Sequence, residues 1–147
     1  DENISNYGQI DLLFKVPSQD KKTVKALTQG HPLLLCFIDP SREPSKHLLK
    51  DIAAHAREFE ERNYSVVFVL PQDKKTPDFN FEKWRLPAQS ILVEDEGNLW
   101  LNNVITHTKS TFSDNFPLVI FADKTGNILF KSEGYRIGTG SQILQKK

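Results

Sequence analysis

Apolar and polar positions divide the chain into short all-apolar runs and longer mixed stretches. Leu33 to Ile38 is apolar without interruption, Val66 to Leu70 is apolar and ends at Pro71, and Leu118 to Phe121 is a third such run. Short apolar runs bounded by turn formers predict strands covered on both faces. Between the first two runs, Leu48, Leu49, Ile52, Ala53, Ala56 and Phe59 recur at helical spacing, while Lys46, Lys50, Asp51, Arg57, Glu58, Glu61 and Arg62 occupy the other side. This pattern predicts one long amphipathic helix with one face laid on a sheet. Strand, helix, strand in that order implies a parallel pair joined by a right-handed crossover. Ser41 or Ser45 can cap the helix start, and Pro44 is tolerated in the first turn, where its missing amide has no intrahelical partner.

The remaining stretches are shorter. Asp78 to Arg85 predicts a brief helix stopped before Pro87, and Ile91 to Val93 a short strand. Asp95-Glu96-Gly97-Asn98 is a turn signal, and Leu99, Trp100, Val104 and Ile105 suit a short helix. Asp123-Lys124-Thr125-Gly126-Asn127 predicts a hairpin that returns as Ile128 to Lys131 and ends at Gly134. Ile137 to Leu144 supplies the apolar residues of a terminal helix. Near the start, Leu12, Phe14 and Val16 alternate as a strand, and Val24 and Leu27 anchor one helical turn. No repeat or low-complexity linker interrupts the sequence. The expectation is a single three-layer α/β domain over residues 1–147.

The chain has 147 residues, a size that suits one domain. Its 19 basic and 19 acidic side chains give zero formal net charge. That balance excludes a polybasic module for nucleic acid or anionic membrane, both of which need a concentrated positive field. Its longest apolar run, Leu33 to Ile38, is far short of a bilayer span. The chain holds no methionine and begins at Asp1, so we expect a processed protein or a domain excised from a larger exported one. Cys36 is the sole cysteine; neither an intrachain disulfide nor a CxxC pair can form.

Four stretches carry a family likeness. Leu34-Leu35-Cys36-Phe37-Ile38 is similar to the first core strand of the thioredoxin-like superfamily. Asn115-Phe116-Pro117-Leu118-Val119-Ile120-Phe121-Ala122-Asp123-Lys124-Thr125-Gly126-Asn127-Ile128 resembles its cis-proline, strand and D-x-x-G hairpin; Leu92 to Leu99 and Gly134 match the flanking pieces. The likeness is to the bacterial cell-envelope thiol-reductase and peroxiredoxin-like forms. It implies a thioredoxin-like α/β fold: a central mixed sheet, helices on both faces and a C-terminal antiparallel hairpin. It also implies where chemistry would sit. Counting from Phe37, the family's W-C-x-P-C segment falls on Ser41-Arg42-Glu43-Pro44-Ser45. Pro44 is kept, both cysteine positions are lost to Arg42 and Ser45, and the family's buried acid is replaced by Cys36. Thiol–disulfide exchange needs an attacking thiolate and a resolving thiol. The chain is therefore not a self-sufficient oxidoreductase, and the reading leans against an enzyme. A weaker likeness, of His31 to His47 and Gly134 to Gly138, is to the C-terminal module of bacterial transglutaminase-like envelope proteins.

Other chemistries fare no better in the sequence. Cys36 lies mid-strand among Leu33, Leu34, Leu35, Phe37 and Ile38, the setting of a buried, inert thiol; a thiol-dependent peroxidase or other oxidoreductase using Cys36 is the alternative. A hydrolase set of Ser41 or Ser45, His47 and Asp39 lacks a G-x-S-x-G elbow, and residues two apart on a helix point away from each other. His47 and His55 lie about 12 Å apart along a helix, and His31 and His107 have no neighbour at zinc-like spacing. We expect no catalytic residues, no metal and no cofactor. The aromatics Phe79, Phe81, Trp84, Trp100 and Phe112 are expected mainly in the core. What remains is binding. In this family the cis-proline loop beside the active-site loop pairs with an extended peptide. The expected partner site is Asp39, Pro40, Ser41, Arg42, Glu43, Pro44, Ser45, Phe116 and Pro117, with a protein, peptide or catalytic domain of the same parent chain as partner. The resemblance places the chain in the periplasm or cell envelope.

Overall fold

The three apolar runs are strands and lie side by side. The structure, a computed structural model, describes residues 31–71, 81–107, 116–124 and 127–145. Strands β1 (Leu33–Phe37), β2 (Ser65–Pro71), β3 (Ile91–Asp95), β4 (Leu118–Ala122) and β5 (Ile128–Glu133) form one sheet in the order β3-β2-β1-β4-β5. β2 runs parallel to β1 and β3; β4 is antiparallel to β1 and to β5. Leu35 stands opposite Val67 on one side and Ile120 on the other. Around the sheet lie α1 (Glu43–Ala54), α2 (Ala56–Glu61), α3 (Phe81–Trp84), α4 (Leu99–His107) and α5 (Thr139–Gln145).

Side chains alternate across a strand, so each apolar run feeds two cores. Leu33, Leu35 and Phe37 join Val67, Val69, Leu118 and Ile120 against Trp100, Leu101 and Val104 of α4. Leu34, Cys36 and Ile38 join Val66, Phe68, Val119 and Phe121 against α1, α2 and α5 through Leu48, Leu49, Ile52, Phe59, Ile143 and Leu144. Covering on both faces is why β1 and β4 hold no polar residue. Asp95 ends β3 and starts α4. Its buried carboxylate accepts the Trp100 and Leu101 amides, both at 3.0 Å, across a turn in which Gly97 takes φ 69°. A carboxylate there satisfies orphan donors and complements the helix dipole.

Three expectations need correction. The long helix is interrupted at His55 (φ −115°). The His55 amide turns to the Ile52 carbonyl, while the His55 ring takes the Asp51 carbonyl that a regular helix would have given that amide. Neither Ser41 nor Ser45 caps α1: Arg42 is the N-cap and makes no side-chain capping bond. Ile137 contributes nothing to the core, since it is 96% exposed and α5 begins only at Thr139, after Gly138 at φ 89°. Pro44 does sit in the first turn of α1. The strand at Leu12 to Val16, the turn at Val24 and Leu27, Gln72 to Pro77, the first residues of the helix expected from Asp78, Phe79 and Phe112 lie outside the described residues.

Candidate functional site

Residues 38 to 45 carry the chain from the C-terminal end of β1 into α1. Asp39 organises this connection. Its amide donates to the Ser45 hydroxyl at 2.9 Å, its Oδ1 accepts the Ser41 amide at 3.2 Å and the Ser41 hydroxyl at 2.6 Å, and its carbonyl accepts the Arg42 amide at 3.0 Å. Asp39, Pro40 and Ser45 are buried in consequence, whereas Ser41, Arg42, Glu43 and Pro44 are exposed. Glu43 pairs with Lys46 at 3.5 Å and His47 at 3.9 Å on the open side of α1.

The antiparallel register sets Phe37 opposite Leu118, so Phe116 and Pro117 meet the loop at the same sheet edge. Their peptide bond is cis. The Phe116 ring belongs to the α4-side core, Pro117 is buried, and the Pro117 carbonyl accepts the Gly134 amide at 2.8 Å. All nine residues of the expected partner site thus fall at one end of the sheet. Only Ser41, Arg42, Glu43 and Pro44 present side chains to solvent there.

Cys36 is fully buried within β1, and burial pushes its thiol well above the ordinary value. The hydrolase set does not assemble. Ser41 and Ser45 are both bonded to Asp39, while His47 points outward and stacks on Tyr135 with ring centroids 5.9 Å apart. Of the aromatics, Trp100 is buried in the core. Among the described residues no three His, Cys, Asp or Glu side chains converge as metal ligands, and no helix is long and apolar enough to cross a membrane.

A second polar cluster, which the sequence does not announce, joins α1 to α5. Asp51 Oδ2 accepts the Tyr135 hydroxyl at 2.9 Å and the Gly140 amide at 3.1 Å. His55 lies 3.5 Å from Asp51 Oδ1, and Ser141 Oγ lies 3.3 Å from His55 Nε2. The partners are separated by more than 80 positions in sequence. Only the i, i+4 spacing of Asp51 and His55 was open to view.

No protein-family model matches the sequence, and no curated protein matches it. Solved structures do. The bacterioferritin comigratory protein of Xanthomonas campestris, studied for alkyl peroxide reduction, superposes with a TM-score of 0.66 at 16% identity, over 92% of this chain and 92% of that one. A thiol:disulfide interchange protein of the thioredoxin family from Chlorobium tepidum gives 0.60 at 14% identity, over 89% of each. The exposed lipoprotein thioredoxin of Streptococcus pneumoniae gives 0.58 at 19% identity, over 90% of this chain and 97% of that one. This chain has a thioredoxin-like fold. At these identities the likeness is one of fold. Within the thioredoxin-like frame, the strand-to-helix loop carries Arg42 and Ser45 at the two positions to which the resemblance assigns cysteines, and the lone thiol lies in the adjoining strand.

Proposed function

We propose that this thioredoxin-like domain is a redox-inactive interaction or accessory module, binding a peptide or a neighbouring domain at the edge formed by residues 39–45 and Phe116-Pro117. The observation that carries the reading is the hydrogen bond from the Asp39 amide to Ser45. It builds a buried hydroxyl into the loop at the position where exchange chemistry needs a resolving thiol. The burial of Cys36 supports the same reading over the alternative of a Cys36-dependent peroxidase, since a peroxidatic thiol must be an exposed thiolate. A partner at this edge meets backbone at Phe116 and Pro117 and side chains at Ser41, Arg42, Glu43 and Pro44. Strand addition suits a neutral chain, because backbone pairing supplies affinity without a charged surface. We place the module outside the cytoplasm, as part of a larger exported protein whose catalytic domain, transglutaminase-like in the reading of His31 to His47, does the chemistry.

Binding to the remainder of the parent chain, measured by calorimetry, tests the proposal. Arg42→Ala is expected to weaken it about tenfold or more, as loss of an interfacial arginine does, while Lys124→Ala, exposed on the β4–β5 hairpin, leaves it unchanged. Binding that Arg42→Ala does not affect would move the site elsewhere.

A further inference from the structure

The cluster between α1 and α5 has a defined proton arrangement. His55 Nδ1 lies 3.0 Å from the Asp51 carbonyl oxygen and 3.5 Å from Asp51 Oδ1. Both are acceptors only, so the neutral imidazole carries its proton on Nδ1. Nε2 is then the basic nitrogen, and it faces Ser141 Oγ at 3.3 Å, with the hydroxyl donating. The carboxylate beyond is held from its other side by the Tyr135 hydroxyl at 2.9 Å and the Gly140 amide at 3.1 Å. Burial first, and the Asp51 carboxylate second, raise the Tyr135 pKa, so Tyr135 remains a donor to Asp51. Gly140 is what lets the carboxylate sit there, since a Cβ at that position would stand 2.6 Å from Asp51 Oδ1. The side chain of Asp51 is 9% exposed and that of His55 25% exposed, and Ser141 is open to solvent. A serine that can be reached from solvent thus faces a basic imidazole nitrogen, while the Asp51 carbonyl holds the Nδ1 proton at 3.0 Å and the Asp51 carboxylate lies 3.5 Å from the same nitrogen.

We infer that Ser141, His55 and Asp51 form an acyl-transfer site acting on small esters, with Ser141 as nucleophile, His55 as general base and Asp51 orienting the imidazole. Ser141 Oγ attacks the ester carbonyl carbon; an Oγ–C bond forms as the hydroxyl proton passes to His55 Nε2, and Asp51 stabilises the resulting imidazolium. Collapse breaks the bond between that carbon and the leaving oxygen, which takes the proton from Nε2. Water, giving its proton to His55 in turn, releases the acid and restores Ser141. This site is independent of the sheet-edge reading, since neither Cys36 nor residues 39–45 take part.

The test is labelling of the full chain with an alkyl fluorophosphonate, located by peptide mass spectrometry, alongside the burst of p-nitrophenol from p-nitrophenyl acetate. We expect one adduct, at Ser141, and an acetyl burst. Ser141→Ala, at an exposed position that keeps the fold, should abolish both. His55→Asn keeps a donor towards Asp51 but removes the base, and should slow labelling about a hundredfold; Lys124→Ala, exposed and away from the cluster, should change nothing. Absence of an adduct, an adduct that survives Ser141→Ala, or labelling of a folded His55→Asn protein at the wild-type rate would overturn the assignment. If His55→Asn does not fold, the Ser141→Ala comparison decides.

Discussion

Ser45 keeps its place in the fold through a bond that has nothing to do with sulfur. Its hydroxyl accepts the Asp39 amide at 2.9 Å and is fully buried, so the strand-to-helix loop depends on an oxygen at that position. Removing it leaves a buried amide without its partner, which costs about 1–3 kcal/mol. Ser45→Ala should therefore lower the urea midpoint by a corresponding amount with little change in slope. The neighbouring Arg42 is exposed, and its replacement should leave stability alone while changing recognition at the edge. The two residues at the family's cysteine positions thus divide the labour, one holding the loop and the other facing outward.

At the scale of elements, the strands were legible because burial on both faces removes polar residues from them: Leu33 to Ile38, Val66 to Leu70 and Leu118 to Phe121 announce themselves without tertiary information. The crossover helix was legible as a stripe, but its interruption was not, since it arises from the His55 ring taking the Asp51 carbonyl. The start of α4 was half visible. Asp95-Glu96-Gly97-Asn98 read as a turn, but the role of Asp95 as the acceptor of two helix amides needed the structure. Asp95→Ala should cost about 1–2 kcal/mol through loss of this cap, seen as a lower thermal midpoint with α4 amides exchanging faster than those of β1. That residues 39–45 and Phe116-Pro117 meet at one end of the sheet was legible from the resemblance alone. The junction of α1 with α5 was not, because Asp51 meets Tyr135 and Gly140 only after the chain has folded back across the sheet.

Across the whole molecule, the C-terminal segment is fastened to the crossover helices by a few polar contacts added to Ile143 and Leu144 in the core. Arg62 donates to the Leu144 carbonyl at one end of α5, and Asp51 receives Tyr135 and Gly140 at the other. Tyr135 has its pKa raised above the ordinary value of 10.0, by burial first and by Asp51 second. The folded state therefore holds this proton more tightly than the unfolded chain, so its contribution is complete below pH 10 or so and is lost as pH climbs past that value towards the folded pKa. Stability measured from neutral to strongly alkaline pH should fall in that window, and Tyr135→Phe should flatten the fall.

The native reactivity of Cys36 tests most directly the proposal that this thioredoxin-like frame carries no thiol chemistry. Its thiol is fully buried in β1 and its pKa is raised by desolvation, so reagent should reach it only through unfolding. We predict alkylation by iodoacetamide in native buffer to be slower than in urea by a factor of about 10³ or more, the inverse of the unfolded fraction, with no hydrogen peroxide consumed. Native labelling as fast as that of the unfolded chain, accompanied by peroxide turnover, would contradict it.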